Sequence, residues 1–419
     1  MKVPQSFSVS GDFSEDAQAL TTYVRSAHVE MARQAREVFL GVHAGRVYTR
    51  LTDGHTRFLR LEDLAAAAND LIEGLLPDKA ELAREAALPL ADQSGVAIDQ
   101  LLFFAHLLSH ATSGEHLCQA MRLPRPDSLT RLAEFTRRGK LSLAAASVER
   151  FGKACYVTLC RPEALNAEDA ESLEDLEIAV DLALLDPHTE VVVLRGAAIE
   201  HPKYGGRRVF CSGINLTRLH DGRIPPLWYL QRELGVLHKI YRGLARPQLT
   251  PEAFEAPQEK PWIAQLDGFA IGGGCQYLLV MDSVVAGADA YLTLPARKEG
   301  IIPGAANLRL PRFVGDRLAR QMVLADRRIE CASTEGRLLC DVLVAPDQVD
   351  AAVRDLVERM TSSGVVSFAA NRRAFRLAQE PLDVFRRYMA LYAREQAFCH
   401  FSPALIANLR QHWRGTRSG

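Results

Sequence analysis

Apolar residues recur at intervals of three and four through the first third of the chain, which is the spacing of an amphipathic helix. Leu20, Val24, Ala27 and Met31 form one such series, and strand-like alternation is scarce in this region. The pattern predicts four helical stretches: Glu15–Leu40, Leu61–Leu76, Ala80–Leu88 and Ile98–Cys118. We therefore predict an all-α N-terminal domain over residues 1–145.

The pattern changes near Ser142, where short runs of apolar and β-branched residues begin to alternate with helical segments. The runs typical of buried strands are Ala154–Leu159, Val191–Leu194, Trp262–Leu266, Val284–Ala286 and Tyr291–Leu294. Such alternation favours an α/β fold. From Gln348 to Trp413 the spacing is helical again. We predict an α/β core over residues 146–345 and a C-terminal helical segment over residues 346–419.

One helix of the predicted core has a signal at each end. Asn166 precedes a series of apolar residues at helical spacing, and its side-chain oxygen can accept from the free amides of a first helical turn. Asp186-Pro187 ends the same series, because proline restricts the residue before it to extended conformations. Further along, Pro247–Pro261 has four prolines and no period, which predicts a loop.

The charge of the 419 residues is balanced, with 50 Lys and Arg against 51 Asp and Glu. Nucleic acid is therefore not an expected partner, since a polyanion needs a basic surface. No apolar run approaches the ~18 residues that a bilayer crossing needs, and Met1–Leu20 is polar, so no membrane partner or secretory signal is expected. Eight cysteines without a CxxC pair favour a reducing, cytoplasmic location.

Three segments of the predicted core carry glycines next to strands, where backbone amides can be left without partners. They are Val209–Leu216 (VFCSGINL), Gly268–Gln276 (GFAIGGGCQ) and Leu294–Gly304 (LPARKEGIIPG). A glycine at a helix start lets a ligand approach the free N–H groups of the first turn. The second segment is neither GxGxxG nor a phosphate loop with GK[ST], so a dinucleotide or ATP site is disfavoured.

Together with the turn Arg161–Ala167 (RPEALNA), these segments resemble the crotonase superfamily of acyl-CoA enzymes over residues 151–345. The resemblance implies a spiral of ββα units that binds an acyl-CoA thioester. It also implies that the backbone N–H groups of Ile214 and Gly273 form an oxyanion hole. Two fixed donors stabilise the charged oxygen of an enolate more than they stabilise the neutral thioester.

Two positions depart from the hydratases of that superfamily, which use a pair of glutamates as acid and base. This chain has Gln276 and Ala296 at those positions, and neither side chain transfers a proton. Water addition is therefore disfavoured. Glu299 is a candidate for a displaced base, but its charged ARKEG context favours a surface or structural role.

The chain most resembles the arylacetyl-CoA dioxygenases that this superfamily contributes to glycopeptide-antibiotic biosynthesis. The long helical N-terminal domain and the segment Gln231–Gly235 (QRELG) contribute to this narrower resemblance. It implies an oxidoreductase that uses O₂ as co-substrate with no metal, no flavin and no haem. Such chemistry is coherent, because the enolate of an arylacetyl thioester is electron-rich and can pass an electron to O₂ directly.

The resemblance also implies roles for individual side chains. Glu168 and Arg232 would bind the ring hydroxyls, with Gln276 at the polar end of the catalytic centre. The apolar wall around O₂ would be formed by Ile214, Leu216 and Ile301. Without the resemblance, Glu168 is a first-turn carboxylate that favours the helix dipole, and Arg232 is a solvated helix residue. The three apolar residues are then plain core.

The phosphates of CoA need cations or amides, which the loop before the CSGINL segment offers. The candidates are His201, Lys203 and Tyr204, with Arg207 and Arg208 as alternatives on the same loop. The resemblance further implies a homotrimer or homohexamer with C-terminal helices over the active site. The aromatic stretch Tyr388–Phe401 fits such a cover and equally fits an intramolecular core.

Other interpretations of the residues stay open at this point. His106 and His110 lie one helical turn apart with His116 beyond, which is a metal-ligand spacing, although a structural role is favoured. Cys211 and Cys275 adjoin the predicted oxyanion amides, but no histidine is near in sequence to activate either thiol. Thioester hydrolysis, decarboxylation or a catalytically silent acyl-CoA-binding module are the alternative functions.

Overall fold

The computed structural model describes residues 12–247, 258–362 and 366–412. The chain forms two compact units. The first runs to Met121 and adds Leu219–Gln231 and the chain from Pro381 onward, and the second comprises Arg122–Arg218 and Arg232–Glu380. The three-part division at residues 145 and 345 stays a prediction, since compact units report packing and not independent folding.

The first unit is helical, and its described residues contain no β-strand. Its helices are Phe13–Val24, Val29–Leu51, Leu61–Leu71, Lys79–Ala86, Ile98–Ser109, Ala111–Arg122, Leu227–Gln231, Leu382–His400 and Pro403–His412, with a 3₁₀ turn at Leu90–Asp92. Two predicted helices are in fact pairs of helices, because extended residues interrupt the helix before Val29 and at His110. Leu382–His400 packs against Ile98–Ser109 and buries Phe385 and Met389 in the core of this unit.

The second unit is built on two sheets. The strands are β1 (Lys140–Ser142), β2 (Ala146–Phe151), β3 (Ala154–Leu159), β4 (Val191–Gly196), β5 (Trp262–Leu266), β6 (Phe269–Ile271), β7 (Ser283–Gly287), β8 (Tyr291–Thr293), β9 (Ile329–Glu330) and β10 (Val342–Val344). The larger sheet has the order β1-β2-β3-β4-β5-β7-β10 and the smaller the order β6-β8-β9. From β3 to β10 the larger sheet is parallel, and β1 and β2 extend it antiparallel.

The five predicted strands are present, and their sequence signal has a simple cause. Every residue of β3 and β5 is buried, so both faces of these strands are covered and most of their residues are apolar. The strands that the pattern missed include β1, β6 and β9, each of three residues or fewer. Runs this short carry too few positions to show a period.

Helices and turns complete the second unit. They are Pro126–Arg138, Ala170–Leu185, Leu216–His220 (which begins in this unit), the π-helix Arg232–Leu237, His238–Arg242, Gly273–Leu278, Ala296–Glu299, Ala306–Arg309, Pro311–Leu324, Val349–Thr361 and Val366–Gln379, with 3₁₀ turns at Pro162–Ala164, Gly336–Leu338 and Pro346–Gln348. Pro126–Arg138 starts on proline and ends at Gly139, which adopts φ 68°.

The prediction that Asn166 caps the helix after β3 is wrong. The helix Ala170–Leu185 is capped by Asp169, which accepts from the Ser172 amide while Ser172 bonds back to the Asp169 amide. Asn166 adopts φ 55° and its side chain instead donates to the carbonyls of Ala197 and Val209. The predicted end of the helix at Asp186 is confirmed.

Two sequence features lie mostly or wholly outside the described residues, namely the Pro247–Pro261 loop and the helix end at Trp413. Across the described part of the chain, every helix falls short of the length or the apolarity needed to cross a membrane.

Candidate active site

The segment Gly213–Asn215 lies between Glu168 and β6. On one side Glu168 donates its amide hydrogen to the Gly213 carbonyl at 2.8 Å, and Asn215 donates to the Glu168 carbonyl at 2.7 Å. On the other side Ile271 of β6 donates to the Cys211 carbonyl at 3.0 Å. Glu168 therefore precedes the helix and its cap, and the interpretation of it as a first-turn residue is wrong.

The amides of Ile214 and Gly273 lie at the closest approach of two glycine segments. A Cβ on Gly213 would be 2.7 Å from the Ile271 carbonyl oxygen and 3.1 Å from the Gly273 nitrogen, so only glycine fits there. Gly273 is the first residue of the helix Gly273–Leu278, whose opening amides have no intrahelical acceptor. Among the described residues, neither the Ile214 nor the Gly273 N–H donates a hydrogen bond.

The π-helix Arg232–Leu237 buries two adjacent charged residues, Arg232 and Glu233. One extra residue per turn rotates the side chains that follow, and such turns are frequent at functional sites. Both side chains are at most 4% exposed. The interpretation of Arg232 as a solvated helix residue is therefore wrong.

Arg232 uses all five of its N–H donors inside the protein. Nε and Nη2 bind the two oxygens of Glu168 at 2.9 and 3.0 Å. Nη1 binds Glu233 Oε1 at 3.1 Å and Gln276 Oε1 at 2.6 Å, and Nη2 also binds the Gly273 carbonyl at 2.8 Å. The guanidinium thus connects Glu168 and Gln276, the predicted substrate-binding residues, directly to Gly273, whose amide is the predicted oxyanion donor.

The charged side chains of this cluster stabilise one another electrostatically. Burial opposes the positive charge of Arg232, but Glu168, Tyr277 and Glu233 outweigh it and raise the Arg232 pKa. Tyr277 donates its hydroxyl hydrogen to Glu168 Oε1, and its ring lies 4.7 Å from the Arg232 guanidinium carbon. Burial, and then the Glu168 carboxylate, raise the pKa of Tyr277 well above its ordinary value, so the phenol stays a donor.

Glu233 is less completely compensated than Glu168. Its Oε2 has no hydrogen-bond partner among the described residues and lies 3.7 Å from Arg309. Burial raises the pKa of Glu233.

Gln276 presents its amide nitrogen as an unused donor. Its Oε1 must face Arg232, because a guanidinium only donates. No described residue accepts from Nε2. A Cβ on Gly304 would lie 2.6 Å from Gln276 Oε1 and 2.2 Å from Glu233 Oε1, so the loop after Ile301 closes tightly on the same cluster.

The predicted apolar wall is only partly buried. Ile214 and Leu216 are buried, whereas Ile301 is half-buried. Ile214 follows Gly213, which packs against the Gly273 nitrogen. Ile301 lies three residues before Gly304, which packs against Glu233 and Gln276.

The short helix Ala296–Glu299 places its two end residues on the buried side and exposes Arg297 and Lys298 between them. The Glu299 oxygens would lie 3.4 and 3.5 Å from a Cβ on Gly272. Burial, and then the nearby Asp326, raise the pKa of Glu299 to about 8. The surface role favoured from the ARKEG context is therefore wrong.

Comparisons with known proteins identify the family of the chain. The family model for enoyl-CoA hydratase/isomerase matches residues 149–401. The chain belongs to this family, the crotonase superfamily. A curated relative, (3,5-dihydroxyphenyl)acetyl-CoA 1,2-dioxygenase of Amycolatopsis orientalis, is 47% identical over 94% of this chain and 89% of its own length.

More distant relatives match a smaller share of the chain. A short-chain-enoyl-CoA hydratase of Clostridium acetobutylicum is 26% identical over 54% of this chain and 79% of its own length. The solved enoyl-CoA hydratase of Mycobacterium avium subsp. paratuberculosis has a TM-score of 0.53 at 24% identity, over 64% of this chain and 99% of its own. This likeness shows the crotonase fold.

The predicted CoA loop has one cation without an ion pair. Lys203 lies 5.2 Å from the centre of the Tyr204 ring, and its ammonium forms no salt bridge with a described residue. His201 accepts from the Lys203 amide at 3.1 Å. The alternatives are engaged, Arg207 with Asp289 at 2.9 Å and Arg208 with Asp350 at 4.0 Å.

The alternative constellations have other partners in the structure. His106 bonds to Glu37 at 3.3 Å, and His116 bonds to the Tyr48 hydroxyl at 2.8 Å. Within the described ranges, no three His, Cys, Asp or Glu side chains are grouped to hold a metal ion. Burial raises the pKa of Cys211, and raises that of Cys275 to about 12, which keeps both thiols protonated.

Sequence reasoning missed two members of the cluster. Glu233 was part of the QRELG segment but was given no role. Adjacent residues of an α-helix do not share a face, whereas the π-helix buries both Arg232 and Glu233. Tyr277 follows Gln276 in an apolar run that predicts core, and its hydroxyl gives no sequence signal.

Proposed function

We propose that the chain is a dioxygenase that converts 3,5-dihydroxyphenylacetyl-CoA and O₂ into 3,5-dihydroxyphenylglyoxylate and free CoA, with neither metal nor organic cofactor. The observation that carries the proposal is a buried Glu168–Arg232–Gln276 cluster beside two free backbone amides, in a site without the hydratase glutamates. The name of the Amycolatopsis relative supplies the substrate.

The first step is formation of an enolate. Removal of one α-hydrogen moves the C–H electron pair into a carbon–carbon double bond and leaves negative charge on the thioester oxygen. The amides of Ile214 and Gly273 are the donors for that oxygen. Because they are fixed before the charge develops, they stabilise the enolate more than the thioester.

The second step is oxidation of the enolate carbon by O₂, which is reduced. The overall reaction balances as arylacetyl-CoA plus O₂ giving arylglyoxylic acid plus CoA–SH. One oxygen atom becomes the ketone and the other enters the new carboxyl group. Ile214, Leu216 and Ile301 are the apolar side chains assigned to the O₂ region.

The ring hydroxyls meet complementary partners in the polar cluster. A phenol both donates and accepts. Glu168 and Glu233 offer acceptor oxygens, while the Gln276 amide nitrogen offers a donor. The Arg232 donors are already used, so Arg232 acts by holding these groups in position.

The test uses metal-stripped protein with a chelator present, mixed with 3,5-dihydroxyphenylacetyl-CoA while dissolved O₂ and free thiol are followed together. The proposal predicts O₂ consumption and CoA release in equal amounts. CoA release without O₂ uptake overturns it in favour of a thioesterase, and neither signal overturns it in favour of a silent binding module. Activity that returns only with iron contradicts the cofactor-free mechanism.

The cation on the CoA loop gives a smaller test of the same proposal. Lys203→Ala should raise KM for the CoA thioester severalfold, with an effect that shrinks as salt is added. The exposed Lys298 provides the matched control, because Lys298→Ala removes the same charge elsewhere. Equal effects on KM would remove Lys203 from the CoA site. The predicted homotrimer or homohexamer is checked by sedimentation of the same samples.

A further inference from the structure

The proposed reaction needs a group that accepts the α-proton, and both usual glutamates are replaced. Gln276 is an amide and Ala296 is a methyl group. Glu168 already accepts from Arg232 and Tyr277 and lies in an ion pair that abstraction of a proton would disrupt. The thiols of Cys211 and Cys275 are held protonated by burial.

Glu299 shares a helix face with Ala296. The two residues are three apart on one short helix, a spacing that places side chains side by side. Both are buried, while Arg297 and Lys298 between them are exposed. The buried side of this turn is therefore formed by Ala296 and Glu299.

Glu299 also lies beside the oxyanion segment. Its two oxygens would be 3.4 and 3.5 Å from a Cβ on Gly272, the residue before the Gly273 amide. No described residue donates a hydrogen bond to either oxygen, although the side chain is buried. A buried carboxyl group without a partner is costly, and such groups cluster at functional sites.

The charges that act on Glu299 come from two elements. Asp326, which follows the helix Pro311–Leu324, opposes ionisation of Glu299. Asp326 is itself paired at 2.5 Å with Arg297 of the Glu299 helix. The Gly272–Leu278 segment against which Glu299 lies carries no ionisable side chain that is charged at neutral pH.

We propose that the Glu299 carboxylate removes the α-proton of the bound arylacetyl thioester, an inference that rests on the function proposed above. The proton goes to a Glu299 oxygen, the C–H electron pair forms the enolate double bond, and the negative charge moves to the thioester oxygen at the Ile214 and Gly273 amides. No oxidant is needed for this step.

The pH dependence follows from the same environment. A Glu299 pKa of about 8 leaves a minority of the carboxyl groups ionised at neutral pH. The base is the ionised form, so the rate of proton removal should rise with pH and level off above about 8.

The test isolates proton removal from oxygen chemistry. Full-length protein is incubated anaerobically with 3,5-dihydroxyphenylacetyl-CoA in D₂O, and deuterium at the α-carbon is followed by mass spectrometry. Wild type should exchange the α-hydrogens with a rate that rises through the stated pH range. Glu299→Gln should slow exchange about 10²–10⁴-fold, Glu299→Asp should restore part of it, and Lys298→Gln, on the exposed side of the same turn, should exchange like wild type.

The outcomes separate this inference from the proposed function. Exchange in Glu299→Gln at the wild-type rate, or a wild-type rate that does not change with pH, overturns the role of Glu299. A Glu299→Gln protein that no longer binds the thioester in equilibrium titration also overturns it, because the residue would then be needed for the pocket itself. Wild-type exchange without O₂ uptake in air overturns the dioxygenase function and leaves the role of Glu299 standing.

Discussion

Glu168 and Glu299 are both buried beside the glycine turn that starts at Gly272, but their surroundings differ. Glu168 accepts two hydrogen bonds from Arg232 and one from Tyr277. Glu299 accepts none from a described residue, and burial together with Asp326 raises its pKa to about 8. The same side chain thus has its hydrogen bonds and its charge compensated in one place, and has no hydrogen-bond donor among the described residues in the other.

The difference teaches how the proposed function would divide two tasks within one site. A carboxylate held by a guanidinium keeps its oxygens in a fixed orientation, which suits binding of the ring hydroxyls. A carboxyl group without partners is costly to ionise and has a proton affinity near the working pH, which suits a general base.

The largest expected effect comes from removing the compensation of Glu168. Arg232→Met leaves Glu168 and Glu233 buried without their shared partner, which should lower the free energy of unfolding by about 3–5 kcal/mol. Urea unfolding measures this. Arg320→Met is the control, since its pair with Asp316 is exposed and screened by solvent, so its loss should leave urea unfolding almost unchanged. Equal losses in the two variants would contradict a charge-compensated cluster.

Glu299 should make the fold less stable as pH rises. Its folded-state pKa lies above the ordinary value of 4.5, so the native state holds a proton that the unfolded chain releases. The stability that the protonated Glu299 contributes is therefore complete below about pH 4.5, and it is lost as the pH rises to about 8. Relative to Glu299→Gln, wild type should lose roughly 4 kcal/mol between pH 5 and pH 9. A difference between the two proteins that stays constant with pH in urea unfolding would show that Glu299 ionises freely.

The glycine between the two regions should tolerate no side chain. A Cβ on Gly273 would lie 2.2 Å from Glu168 Oε2 and 3.0 Å from Arg232 Nη2, so Gly273→Ala must displace the anchor or the oxyanion amide. We expect kcat to fall about 10²–10³-fold. Gly41→Ala, with no atom of a described residue within 4 Å of the added Cβ, should leave kcat unchanged. A Gly273→Ala protein with wild-type kcat would contradict the proposed location of the oxyanion hole.

The smallest effect should come from the tyrosine on the anchored side. Tyr277→Phe removes one hydrogen bond to Glu168 while Arg232 remains, which should cost about 1.5–3 kcal/mol of stability. Tyr23→Phe is the matched control, because the Tyr23 hydroxyl is buried and has no hydrogen-bond partner among the described residues. Thermal unfolding compares them, and a larger loss in Tyr23→Phe would contradict the assignment.

The contrast between the two carboxyl groups was only partly visible in the sequence. Buried parallel strands such as Ala154–Leu159 are local patterns, so the α/β fold was predicted from them. The Ile214 and Gly273 amides were assigned only through the resemblance to the crotonase superfamily, and that assignment stays a prediction. The burial of Glu299 was not, because a charged ARKEG stretch does not reveal which of its side chains the turn directs inward. The role of Glu233 depends on a π-helix, which has no periodic signal of its own.

Asn166 shows a second limit of local patterns. Both Asn166 and Asp169 are good capping residues at the start of the same helix, and propensity alone does not choose between them. The choice is made by tertiary hydrogen bonds, since the Asn166 amide is needed by the Ala197 and Val209 carbonyls.

The most direct test of the division between the two carboxyl groups is a ratio of kcat/KM values for 3,5-dihydroxyphenylacetyl-CoA and plain phenylacetyl-CoA. Glu168→Gln should reduce this ratio about ten- to hundredfold, since it weakens binding of the hydroxyls alone. Glu299→Gln should lower both values together and keep the wild-type ratio, because proton removal is common to both substrates. A ratio that collapses in Glu299→Gln, or survives in Glu168→Gln, would contradict the account.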